Sequence, residues 1–65
     1  MVVQRYYTIE DTEELRMVLG IIKNLIPCDI VKTPDGMWNA KIAIEADIED
    51  FEAIEGILSP LIEDF

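Results

Sequence analysis

The chain has 65 residues, with 14 Asp and Glu against 5 Lys and Arg, no His, a single Cys and a formal net charge of −9. A hydrophobic content of 51% sets it apart from disordered acidic tails, which lack the apolar side chains to form a core. One cysteine makes no internal disulfide, the commonest metal ligand is missing, and a chain this short has little room for a deep cleft.

No apolar stretch approaches the ~20 residues of a spanning helix. Met1–Arg5 shows no basic region leading into an apolar block, so a free-thiol, cytoplasmic setting is expected. No repeat, linker or low-complexity tract divides the chain, and residues 1–65 read as a single domain.

Val2 to Ile9 is rich in β-branched and aromatic residues, as strands are, and neither of its faces is cleanly apolar. It reads as an edge strand. Asp11 or Thr12 then caps a helix, with Asp11 and Glu14 spaced as in a capping box. Leu15, Val18, Leu19, Ile22, Leu25 and Ile26 recur at helical spacing, and Pro27 ends the pattern.

Cys28 to Thr33 reads as a second strand and Thr33-Pro34-Asp35-Gly36 as a turn. Trp38, Ala40, Ile42, Ile44 and Ala46 then alternate with more polar positions, which predicts a half-buried third strand in a hairpin with the second. Asp47 caps the last helix, whose inner face is Ile48, Phe51, Ile54, Leu58, Leu61, Ile62 and Phe65. At Pro60 that helix either kinks or gives way to a separate turn capped by Ser59.

The order is strand–helix–strand–strand–helix. Both helices placed on one face of a three-stranded, mainly antiparallel sheet give a two-layer α+β domain. With the third strand central, the topology resembles a ferredoxin-like split βαβ unit lacking its last strand. That resemblance concerns topology and implies no activity.

The charge is unevenly placed. Residues 1–44 carry six acids and five bases, whereas residues 45–65 carry eight acids and no base. Asp47, Glu49 and Asp50 suit the positive end of a helix dipole. Glu52, Glu55, Glu63 and Asp64 do not, and carboxylates one turn apart repel by about 0.7 kcal/mol in bulk water. Two readings stand: a solvated face that keeps the protein soluble, or a docking surface of Glu45, Asp47, Glu49, Asp50, Glu52 and Glu55 for a basic protein.

On a helix, Glu49, Glu52 and Glu55 rise by ~4.5 Å each, the order of the ~3.4 Å phosphate spacing of one DNA strand. The partner expected is therefore the basic surface of a nucleic-acid-binding protein. In size and charge the chain is similar to small acidic inhibitors of phages and mobile elements, anti-CRISPR proteins among them. Nucleic acid itself would be repelled.

Asp47-x-Glu49-Asp50 lacks the glycine and the final glutamate of an EF-hand loop, so no metal is expected there. Ser59 has no histidine to activate it and there is no glycine-rich phosphate loop, so neither an enzyme nor a cofactor is expected. Cys28, without a basic neighbour, reads as a small buried hydrophobe, and Trp38 as core or rim packing. The rival function is a homodimeric structural or regulatory module. It would associate through the edge strand and open sheet face, using Tyr6, Tyr7, Met17 and Ile21.

Overall fold

The computed structural model describes residues 1–62. Its elements are β1 (Val2–Glu10), α1 (Glu13–Leu25), β2 (Cys28–Asp35), β3 (Asn39–Asp47) and α2 (Phe51–Leu58). Single 3-10 turns, Ile48–Asp50 and Ser59–Leu61, precede and follow α2. The three strands form one antiparallel sheet in the order β1–β3–β2, and with the two helices they make a small α+β fold. No helix of the described residues is long and apolar enough to cross a membrane.

The central strand sets the core. Ala40, Ile42, Ile44 and Ala46 are buried at every second position of β3, because alternate side chains of a strand face the same way. Leu15, Leu19, Ile22 and Ile26 of the first helical segment and Phe51, Ile54 and Leu58 of α2 cover them. Burial of such side chains contributes roughly 1.5–3 kcal/mol each before chain entropy is set against it. Ile9 completes the cluster from β1.

Local chemistry explains the ends of the elements, with some changes from the sequence reading. Thr12, not Asp11, caps α1: its Oγ1 accepts from the Leu15 amide at 3.2 Å. Asp11 turns aside to Lys32, so no Asp11–Glu14 capping box forms. Leu25 is 70% exposed. It is the last residue of α1, and Ile26, the extended C-cap, takes the inward place beside it.

β2 runs through Pro34 to Asp35, past the expected turn, because an edge strand tolerates a residue with no N–H. The reversal falls on Gly36-Met37-Trp38, where Gly36 holds φ +79°, a left-handed conformation open to glycine. Residues 31–39 are all exposed, since the hairpin tip reaches past the helices. Trp38 therefore lies outside the core, 73% exposed, although it shares the parity of Ala40. Its carbonyl accepts from the Asp11 amide at 2.7 Å.

The last helical segment is interrupted twice. Ile48 belongs to the leading 3-10 turn and is exposed rather than core. Pro60 lies in the first positions of a separate turn, without a side-chain cap from Ser59. Leu61 and Ile62 pack partly buried against the core, and no neighbouring backbone approaches Gly56. The expectations for Glu63, Asp64 and Phe65 lie outside the described residues.

Candidate acidic surface

The end of the sheet where β3 passes into α2 gathers carboxylates from three parts of the chain. Asp47, the last residue of β3, accepts from the Glu49 amide at 3.2 Å and caps the 3-10 turn. That amide first, then the Met1 ammonium 3.4 Å away, holds the Asp47 carboxyl below its usual range. Glu45 projects from the open face of β3. Its register partner on β2 is Asp29, so two like charges sit directly opposite each other.

Asp29, Glu45, Asp47 and Asp50 line one groove of about 510 Å³, together with Val2, Pro27, Cys28 and Ala46. No basic side chain lines it. Glu49 and Glu52 are exposed nearby in sequence, on the 3-10 turn and the first turn of α2. Among the described residues no group of three or more His, Cys, Asp or Glu is placed to hold a metal ion. The carboxylates therefore form a spread negative surface rather than a chelating cage.

Glu55 does not belong to that surface. Its Oε2 accepts from Arg5 Nη1 at 3.0 Å and from the Tyr7 hydroxyl at 2.8 Å, and the side chain is 31% exposed. The Arg5 guanidinium also lies 4.8 Å from the centre of the Phe51 ring. Burial, then the Glu55 contact, pushes the Tyr7 phenol up to about 12. The expected row of Glu49, Glu52 and Glu55 on one α-helix is thus corrected in two respects. Glu49 stands in a 3-10 turn, and Glu55 turns to a cation and a phenol on β1.

The four residues expected to self-associate do not share a surface. Tyr6 is exposed on the open sheet face, its hydroxyl donating to Gln4 Oε1 at 3.1 Å with Lys41 Nζ 5.4 Å from its ring. Tyr7 points to the opposite, helix-covered side. Met17 and Ile21 lie on α1, 65% and 48% exposed, and with Leu25 they make an apolar row at intervals of four residues. Leu25 was hidden from sequence reasoning because its spacing also fits the core stripe. Asp29 was hidden because only the register places it beside Glu45.

Cys28 is half-buried, and burial followed by Asp29 raises its thiol pKa, which suits packing better than nucleophilic attack. No protein-family model matches the chain, nor does any curated protein or solved structure show significant similarity to it.

Proposed function

We propose that this protein is a non-enzymatic binding module that presents its acidic end to the basic surface of another protein in the cytoplasm. The observation that carries this reading is the groove lined by Asp29, Glu45, Asp47 and Asp50 with no basic side chain among its lining residues, the Met1 ammonium standing 3.4 Å from Asp47. Opposed like charges such as Asp29 and Glu45 oppose the fold. A basic partner would relieve that repulsion, and charge of one sign on a surface raises the encounter rate with its opposite. In its most concrete form the module is a phage-type inhibitor, of the anti-CRISPR kind in size and charge. Its carboxylates, Glu49 and Glu52 included, would stand in for nucleic acid in a basic channel.

A second reading is favoured by the exposed row Met17–Ile21–Leu25, which suits a homodimer through α1 rather than through the edge strand. One set of samples separates the two. Affinity capture eluted with a salt gradient should yield basic proteins that leave at moderate salt, and Glu45→Lys/Glu49→Lys/Glu52→Lys should lose them. Equal capture by that variant, with its fold intact, would overturn the acidic reading. Sedimentation equilibrium showing a dimer that Ile21→Asp dissociates would favour the second.

A further inference from the structure

Three of the five basic residues in this acidic chain, Arg16, Lys23 and Lys32, line one groove of about 310 Å³. Leu19, Gly20 and Ile30 complete its lining. Arg16, Gly20 and Lys23 fall on one flank of α1, four and three residues apart. Ile30 and Lys32 share the helix-facing parity of β2. Lys32 Nζ is 2.8 Å from Asp11 Oδ1, while Arg16 and Lys23 make no ion pair among the described residues.

The groove borders a free sheet edge. β2 is the end strand of the sheet, and among the described residues its outer side pairs with no other strand. Gly20 adds a second sign of vacancy: a Cβ built there would meet nothing within 4 Å. Glycine weakens a helix interior, and here no internal clash requires it. Its effect is to leave the groove open.

We propose that this groove receives an extended acidic segment of a partner protein, added as a fourth strand along the free edge of β2. Main-chain hydrogen bonds to the edge would supply affinity, and alternate side chains entering the groove would supply specificity. An added strand lies ~4.8 Å from its neighbour, with same-face side chains recurring every ~6.8 Å. Arg16 and Lys23 are separated by ~10.5 Å along the helix axis. Two acidic side chains flanking a central apolar one span ~13.6 Å, within reach of these long cationic side chains. The apolar side chain then sits over Leu19, Gly20 and Ile30.

Pro34 has no N–H, so pairing is confined to Cys28–Thr33. Lys32 and Pro34 are features that discourage an edge from pairing with another copy of itself. Lys32 attracts an acidic strand and repels a basic one, so it selects the partner's charge, while Pro34 only limits the length of pairing. The two grooves share no lining residue, although Cys28 and Asp29 at the start of the paired stretch belong to the acidic one.

The test is an NMR titration of the labelled protein with a blocked peptide, Ser-Glu-Thr-Val-Thr-Glu-Ser. Saturable shifts confined to β2 and the Arg16–Lys23 flank are expected. The same peptide methylated on alternate backbone nitrogens should bind about tenfold more weakly or not at all, because the edge bonds are blocked. Arg16→Glu/Lys23→Glu should lower affinity about tenfold or more with the fold intact, as its own spectrum reports. Undiminished binding in either control overturns the proposal, as do shifts centred elsewhere, full competition by inorganic phosphate, or no saturable shift.

Discussion

β1 and β2 flank the same central strand, yet they are held in different ways. β1 sends Val3, Arg5, Tyr7 and Ile9 under the helices, and Arg5 and Tyr7 converge on Glu55 of α2. A side chain on the strand is thereby tied to one 48 residues away. β2 contributes only Cys28 and Ile30, both half-buried, and one ion pair from Lys32 to Asp11. Both edge strands leave their outer sides unpaired among the described residues, but β1 is tied to the helix layer by its side chains and β2 is held more loosely. The lesson is that a small α+β domain can secure its fold on one flank and leave the other available for an incoming strand.

That contrast can be broken most forcefully at Phe51, fully buried beneath Arg5. Phe51→Ala should cost about 3–5 kcal/mol, enough to unfold much of a domain this small, whereas Ile30→Ala on β2 should cost about 1–2 kcal/mol. Urea denaturation of the two variants measures the difference. Comparable losses would mean that the two flanks are equally anchored.

A smaller effect belongs to Tyr7. Its pKa is raised to about 12 in the fold from 10.0, so the fold favours the neutral phenol. The associated stability is fully present below pH 10 and is lost as the pH rises through 12. With the partial exposure of the site discounted, about 1–2 kcal/mol should disappear across that window. Thermal melts of wild type and Tyr7→Phe should converge over the same range. Parallel curves would show that the phenol contributes nothing specific.

The smallest effect should come from the looser flank. Lys32→Ala removes one partly exposed ion pair and is expected to lower the melting temperature less than either Phe51→Ala or Ile30→Ala. A larger loss in a thermal melt would show that β2 relies on Lys32 more than its burial suggests.

Much of the fold was legible in the residues because burial imposes a period. Ala40, Ile42, Ile44 and Ala46 alternate as a half-buried strand must, and Leu15, Leu19 and Ile22 recur as an amphipathic helix must. The central place of β3 was the simplest arrangement, antiparallel to its hairpin partner and beside the first strand. The candidate site was less legible. Glu45, Asp47 and Asp50 were recognisable from their charge, but Glu55 is equally acidic and faces Arg5 and Tyr7. Trp38 had the right parity for the core and lies beyond its end.

Local sequence thus established the elements, their order, the α+β class and the concentration of charge after residue 44. These depend on interactions between residues near in the chain: turn chemistry, capping and side-chain period. Which carboxylates share a groove depends on strand register, and which cations stay free depends on which acids reach them. Asp29 beside Glu45, Glu55 beneath Arg5, and Arg16 and Lys23 beside an open strand edge are all consequences of packing. Packing assigned these partners because charge carries no address until the backbone brings distant side chains within a few ångströms.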